Sequence, residues 1–200
     1  MQNCYTELPS GYRALLHIDA KNKKTAILLT LASVPVIAAV LIPALITADY
    51  ASIAFDRFLF YDLGLLGGLL LYIVLHELVH GAAYKLLTKQ KLTFGLSWSC
   101  AFCGVPNCYV SRRTALISVS APLLLFSLLL APTAFALRTV DTGAFLTLWL
   151  LFSIHLGGCV GDAYVMLLLL FRFRDPSVLM RDTGPEQWFY CPGNAEERKE

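Results

Sequence analysis

Charge is scarce in this sequence. Only 15% of its 200 residues are Asp, Glu, Lys or Arg, whereas about a quarter of the residues in an average soluble domain are charged. The formal net charge is only +2, which excludes a nucleic-acid-binding protein that relies on an excess of basic residues, and also an acidic disordered chain. Six cysteines are too few for a small disulfide-stabilised scaffold. Since 57% of the residues are hydrophobic, the composition indicates a membrane protein.

Four long apolar segments account for this composition. They are residues 25–48, 63–84, 114–137 and 142–171. Each is long enough to cross a hydrocarbon layer of about 30 Å as a helix, and each is apolar on all sides rather than on one face. Membrane helices also tolerate the prolines that two of the segments contain. The sequence therefore predicts an all-α membrane protein with four transmembrane helices.

The positive charges predict the orientation of these helices. Four spans place both termini and the loop between the second and third spans on one side, and 14 of the 16 Lys and Arg residues lie there. The other side has only Arg57 and Arg138. By the positive-inside rule, we expect a multi-pass protein of the cell membrane. Residues 1–24 would form a cytoplasmic N-terminal segment, 25–174 the membrane domain and 175–200 a cytoplasmic tail.

The second apolar segment contains His76-Glu77-Leu78-Val79-His80, an H-E-x-x-H motif. Histidines four residues apart lie on one face of a helix, so both imidazoles can bind one metal ion, and neutral imidazole suits Zn²⁺. Glu77 is then placed to act as the general base towards a water molecule. Ionisable residues cost at least about 2.5–3.5 kcal/mol at mid-bilayer, which makes them candidates for function. The alternative is a polar seam between helices in which Glu77 is protonated.

Asp162, in the fourth segment, is the candidate for a third zinc ligand. The helical rise places it at a depth similar to that of the two histidines, and glycines at 157, 158 and 161 allow close helix approach. The alternative is a counter-ion or a helix-end residue near water. His155 lies about two turns before Asp162 on the same face. It is a candidate hydrogen-bond donor behind the metal ligands, transition-state stabiliser or substitute ligand, or else a histidine bonded to a neighbouring helix.

These motifs resemble those of the site-2-protease class of intramembrane zinc metalloproteases. The chain is more similar still to the zincin peptidase family of small four-span membrane proteins. That family has H-E-x-x-H in its second span, a short extended loop, and a Gly-Asp pair in its fourth span. Its tail has the form found here as Val178…Arg181-Asp182-Thr183-Gly184…Tyr190.

The resemblance covers the chain from about Lys24 to Tyr190. It implies that His76, His80 and Asp162 bind the zinc ion and that Glu77 is the catalytic base. The sequence departs from the better-studied site-2 proteases after Asp162, because the next residue is alanine and no Asn-Pro pair precedes the motif.

The loop between the second and third spans has its own pattern. Residues 91–100 are rich in Thr, Phe and Trp and predict an extended cytoplasmic chain, and residues 101–110 predict a turn and a return strand. A strand edge beside a metal site can hold an unfolded substrate segment by β-addition, which the resemblance also implies; the alternative is a plain amphipathic connection. Cys100, Cys103 and Cys108 are expected to be small buried thiols, with a redox-active pair as the alternative.

Together these features predict a zinc-dependent metalloprotease that hydrolyses a peptide bond in or near the membrane by a zinc-activated water. Its expected partners are membrane lipid and a membrane-protein or peptide substrate, and no nucleic acid. Two alternatives remain open. One is a non-catalytic membrane protein with a structural or sensory metal site. The other is a metal or proton transporter, which is less favoured because no series of carboxylates lines a path from both sides.

Overall fold

The structure is a computed structural model that describes residues 2–53, 55–98 and 100–193. Residues 194–200 of the predicted tail, including Arg198 and Lys199 from the charge count, lie outside the described residues. The helices are α1 (Lys23–Thr47), α2 (Phe58–Thr88), α3 (Arg112–Leu137), α4 (Thr142–Gly158) and α5 (Val160–Leu167). The strands are β1 (Cys4–Tyr5), β2 (Tyr12–Asp19), β3 (Thr93–Leu96), β4 (Ala101–Gly104), β5 (Tyr109–Ser111), β6 (Leu179–Asp182) and β7 (Glu186–Pro192).

Three of these helices are long and apolar enough to cross a membrane, namely α1, α2 and α3. They cover the first three apolar segments of the sequence. The fourth predicted segment is not one straight helix, because α4 and the helical run from Val160 to Arg172 are bent by 43°. Counting this bent pair as one span gives up to four spans among the described residues.

The bend occurs at Cys159, whose ψ of 2° departs from helical geometry. Two glycines, Gly157 and Gly158, come directly before it, and glycine weakens a helix because it has the most backbone freedom to lose. Gly157 is also required for packing, since a Cβ there would lie 2.5 Å from Cγ1 of Ile37. As a result the chain restarts as a new helix, and Asp162 stands in the first turn of α5.

A five-stranded antiparallel sheet was not predicted from the sequence, which indicated an all-α protein. Its strand order is β1-β5-β6-β7-β2. The sheet joins the N-terminal segment, the loop after α2 and the tail, which are the three parts that four spans would place on one side. Only β6 and β7 are paired neighbours in the chain. The other pairs join strands that are far apart in the sequence, and local periodicity does not identify such partners. The described structure is therefore mostly helical with an added sheet.

The described residues divide into two compact units. The first contains residues up to 27, 77–121 and those from 162 onwards, and its core is formed by buried residues such as Val110, Leu169, Met180 and Phe189. The second contains residues 28–76 and 122–161, with a smaller core around Ala44, Ala134 and Phe145. Many Leu, Ile, Val and Phe side chains on α1, α2 and α3 are exposed, as expected for helices whose surroundings are lipid rather than water.

Candidate metal centre

The H-E-x-x-H motif lies on α2, which runs without a break from Phe58 to Thr88. His76 and His80 are buried and Glu77 is half-buried. The ligand nitrogens of the two histidines lie within 4.8 Å of each other along this helix, because residues four apart occupy adjacent turns of one face. One metal ion bonded at about 2.0–2.1 Å to each nitrogen therefore needs only a small adjustment of these side chains.

The side chain of Asp162 lies next to His80, the second histidine of the motif. Its Oδ2 atom lies 3.4 Å from Nε2 of His80, and the aspartate side chain is largely shielded from solvent. Both residues belong to the first compact unit. Two imidazoles and one carboxylate, with a fourth position left for water or substrate, form a donor set that catalytic zinc sites use. The residues of this centre therefore fit the metal that the sequence predicts.

A backbone carbonyl sets the orientation of His80. The Nδ1 atom of His80 lies 2.8 Å from the carbonyl oxygen of Ser118 on α3. A carbonyl only accepts hydrogen bonds, so Nδ1 carries a proton and Nε2 is the nitrogen that can bind a metal ion. Nε2 lies next to the Asp162 carboxylate group, where a metal ion would bind. Such carbonyl contacts commonly hold metal-ligating histidines in one tautomer.

A two-stranded hairpin packs against α2 directly after the motif. Strand β3 pairs with β4 in antiparallel fashion, which agrees with the extended loop and return strand expected from the sequence. A Cβ at Gly81 would lie 2.7 Å from the ring of Phe94 on β3, so the glycine lets the hairpin approach the helix. Leu96 and Trp98 at the far end of the hairpin are exposed.

The cysteines of this loop are free thiols among the described residues. Cys103 and Cys108 are buried, and Cys100 is half-buried. Burial, reinforced by the negative charges of Glu77 and Asp182, raises the pKa of Cys103 to about 12. None of the three belongs to a metal-ligand group in the described part of the chain.

A buried tyrosine–aspartate pair next to the motif was missed in the sequence. The hydroxyl of Tyr84, on the turn after His80, donates a 2.7 Å hydrogen bond to Oδ2 of Asp182 on β6. The backbone N–H of Gly184 donates to Oδ1 of the same carboxylate at 2.9 Å. The pair ties the tail to the helix that carries the motif. Asp182 was identified only as part of a tail pattern, and its partner was not recognised.

The second compact unit contains another polar group, built around His155. This residue is fully buried, and its Nδ1 atom lies 2.9 Å from the hydroxyl of Tyr72. The same hydroxyl lies 2.9 Å from Nδ1 of His76. Ligand atoms of His76, His155 and Cys159 all lie within 4.8 Å of one another. His155 is thus linked to a motif histidine through Tyr72, a residue that the sequence analysis did not single out.

The two missed tyrosines share a simple sequence signal. Tyr72, His76, His80 and Tyr84 follow one another at intervals of four residues, so they form one stripe along α2. All four are buried, with relative exposures of 8% or less. Extending the H-E-x-x-H spacing by one step in each direction finds both tyrosines.

Comparison with known proteins identifies a family for this chain. A family model described as "Putative zincin peptidase" matches residues 69–177, which is more than half of the chain. The matched range contains the H-E-x-x-H motif and Asp162, and it ends before β6. No curated protein and no solved structure matches this chain.

Proposed function

Since this chain belongs to the family described as "Putative zincin peptidase", we propose that it is a zinc metalloprotease that cleaves a peptide bond within or beside a membrane. The observation that carries the proposal is the 3.4 Å distance between Nε2 of His80 and Oδ2 of Asp162. The only acid of the fourth apolar segment thus lies next to a histidine of the H-E-x-x-H motif. A polar seam between helices would not require this combination of residues.

Three residues hold the zinc ion in this proposal. His76 and His80 would bind it through Nε2, and Asp162 would bind it through its carboxylate. Zinc supplies the Lewis acidity that activates a water molecule and polarises the scissile carbonyl group. The carbonyl oxygen of Ser118 accepts a hydrogen bond from Nδ1 of His80, which leaves Nε2 available for the metal.

Glu77 moves the proton in the reaction. It follows His76 directly in α2, and it is half-buried. Glu77 accepts a proton from the attacking water and then donates it to the nitrogen of the leaving amine. Its negative charge also contributes to the raised pKa of Cys103 on β4.

The hairpin offers a place for an extended substrate. Among the described strands, β3 pairs only with β4, so its outer edge can add a further strand. A substrate helix must unwind before cleavage because an intact helix hides its carbonyl groups in internal hydrogen bonds. Strand addition next to the motif would hold the unwound segment in the required extended form.

The proposed topology has four spans in the cell membrane with both termini in the cytoplasm. It is supported by the three long apolar helices and the bent pair. It is also supported by the sheet, because β1, β5 and β6 pair as neighbours and come from the N-terminal segment, the middle loop and the tail. Strands that pair with each other lie on the same side of a membrane.

The test is Glu77→Gln in the purified full-length protein, with zinc content and proteolysis measured separately. Casein in detergent solution serves as an unstructured substrate, and new protein termini are mapped in membranes of cells that express each variant. We expect the variant to retain zinc and to lose cleavage by about 100-fold or more. Glu7→Gln, which changes an exposed acid, is the matched control and should cleave like the wild type.

Equal cleavage by Glu77→Gln and wild type would exclude Glu77 as the base. Absence of cleavage by the wild type, together with a chelator-induced fall in its melting temperature, would instead indicate a structural metal site. Zinc flux into proteoliposomes without cleavage would indicate transport.

A further inference from the structure

A buried series of hydrogen bonds runs through the second compact unit from a motif histidine to α3. Nδ1 of His76 lies 2.9 Å from the hydroxyl oxygen of Tyr72, and this oxygen lies 2.9 Å from Nδ1 of His155. Nε2 of His155 lies 3.2 Å from Oγ of Ser127. The thiol of Cys159 lies 3.5 Å from Nδ1 of His155. These side chains come from α2, α3, α4 and the bend after α4.

The single hydrogen of the Tyr72 hydroxyl group limits how protons are arranged along this series. Two imidazole nitrogens flank the hydroxyl, which donates one hydrogen bond and accepts others. Only one of the two nitrogens can receive the hydrogen, and the other must carry its own proton and donate to the oxygen. The tautomers of His76 and His155 are therefore coupled through Tyr72.

The surroundings of His155 favour one of the two arrangements. Two groups that can donate a hydrogen bond lie within reach of Nδ1 of His155, namely the hydroxyl of Tyr72 at 2.9 Å and the thiol of Cys159 at 3.5 Å. When Nδ1 of His155 accepts these bonds, its Nε2 carries the proton and donates to Oγ of Ser127. Nδ1 of His76 must then be protonated, and Nε2 of His76 keeps the lone pair that a metal ion requires.

The reverse arrangement is incompatible with metal binding through Nε2. If Tyr72 donates to His76, a neutral His76 carries its proton on Nε2, and this nitrogen has no lone pair. Because His155 is fully buried, solvent does not replace a lost hydrogen bond there. Phe126 and Phe152 pack around it with ring-centroid distances of 5.9 and 6.2 Å. The partners of His155 thus decide which nitrogen His76 offers.

We propose that Tyr72 and His155 are positioning residues that keep His76 in the tautomer with a lone pair on Nε2. This proposal rests on the proposed function, because it assumes that His76 is a metal ligand. Neither residue contacts the metal in this arrangement; both act through His76. Loss of such a contact behind a metal ligand typically weakens metal binding by about 10–100-fold.

The decisive variant is Tyr72→Phe, which removes only the hydroxyl group. In the metal-free, full-length protein in micelles, two-bond ¹H–¹⁵N correlations of the imidazole rings report the tautomer of each histidine. The sequence has only four histidines, so their signals can be assigned by substitution. We expect His76 to be protonated on Nδ1 in the wild type and to become a mixture of tautomers in Tyr72→Phe.

Zinc affinity, measured by competition with a chelator, is the second measurement. It should fall about 10–100-fold in Tyr72→Phe. Tyr61→Phe is the matched control. It removes a hydroxyl from the same helix, but this hydroxyl donates its hydrogen bond to Asp141 and not to a histidine. His155→Phe should weaken zinc binding as Tyr72→Phe does. The double variant should be no weaker than either single variant, because both changes act through the same nitrogen.

An unchanged His76 tautomer and unchanged zinc affinity in Tyr72→Phe would overturn the proposal, as would additive effects in the double variant. The proposal would also be overturned if the wild type bound two metal ions and Cys159→Ala lost one of them. That result would assign His76, His155 and Cys159 to a separate metal site. Failure of the wild type to bind zinc would refute the proposed function, whereas the tautomer measurement would still test the positioning role.

Discussion

The hydroxyl of Tyr84 and the carboxylate of Asp182 form a buried 2.7 Å hydrogen bond. This bond joins α2, one turn after the H-E-x-x-H motif, to strand β6 in the tail. Burial raises the pKa of Asp182 to about 6, against the opposing effect of the hydrogen bonds from Tyr84 and Gly184. The tail is therefore attached to the motif helix through a group that titrates in a mildly acidic range.

The first prediction concerns the pH dependence of stability. An acid with a pKa raised by folding binds its proton more tightly in the folded state, so its contribution is fully present below the unfolded pKa. It is lost as the pH rises through the folded value of about 6. For the metal-free protein, the free energy of unfolding should gain a contribution of about 2 kcal/mol from Asp182 as the pH falls from 7 to 4.

Chemical denaturation in micelles at a series of pH values between these limits measures this effect. Asp182→Asn cannot titrate, so the difference in unfolding free energy between wild type and variant should change with pH in the stated direction. Parallel pH profiles for the two proteins would contradict the assignment.

The second prediction concerns the turn that supports the hairpin. A Cβ at Gly104, the last residue of β4, would lie 2.2 Å from the backbone nitrogen of Gly184, and backbone cannot move aside as a flexible side chain can. Gly104→Ala should therefore lower the free energy of unfolding by about 1–3 kcal/mol or more.

Gly67→Ala is the matched control for this substitution. Nothing lies within 4 Å of a Cβ at Gly67, which stands inside α2, so alanine there should stabilise the helix by about 0.5–1 kcal/mol. The two glycine substitutions should thus change stability in opposite directions. Equal stabilities would show that β4 and the Gly184 turn do not pack as described.

The third prediction concerns Asp162, the proposed third zinc ligand. Asp162→Asn removes the negative charge that faces His80, so the variant should bind zinc at least about 10-fold more weakly than the wild type. Zinc affinity is again measured by chelator competition, with Asp56→Asn as a control at an exposed acid. Undiminished zinc binding by Asp162→Asn would remove this residue from the ligand set and direct attention to His155.

The fourth prediction concerns the reactivity of the cysteines. Thiolate is the reactive form of cysteine, and burial raises the pKa of both Cys103 and Cys108 to about 12. At pH 8, iodoacetamide should modify the half-buried Cys100 before it modifies either of these residues. Mass spectrometry of the native and the denatured protein provides the comparison, since all thiols should react once the chain is unfolded. Equal native rates for Cys100 and Cys103 would refute the predicted protection.

Much of the helical structure could be predicted because a long apolar segment that crosses a membrane usually forms a helix. The three unbroken helices α1, α2 and α3 follow directly from such segments. The bend at Cys159 was not predicted, although two glycines come before it. Hydropathy is insensitive to a single residue whose backbone leaves the helix.

The sheet could not be predicted for a different reason. Strand β2 pairs with β7 over a register that runs from Tyr12–Pro192 to Asp19–Glu186, and no local pattern shows which distant strand is the partner. Of the centre itself, the motif identified His76, Glu77 and His80, whereas Tyr72 and Tyr84 went unnoticed. Tyrosine in an apolar helix is common, and only its interval of four residues from a motif histidine marks it.

The pairing of β2 with β7 also has a consequence for biosynthesis. Strand β2 ends at Asp19, and its partner begins at Glu186, so the ribosome must translate all of α1 to α5 before these two strands can meet. Contacts over such separations form late because a long loop must be closed first. All five helices are therefore translated before the β2–β7 pair can form. A nascent chain thus passes through a stage in which the motif helix α2 is complete but Asp182 has not yet reached Tyr84.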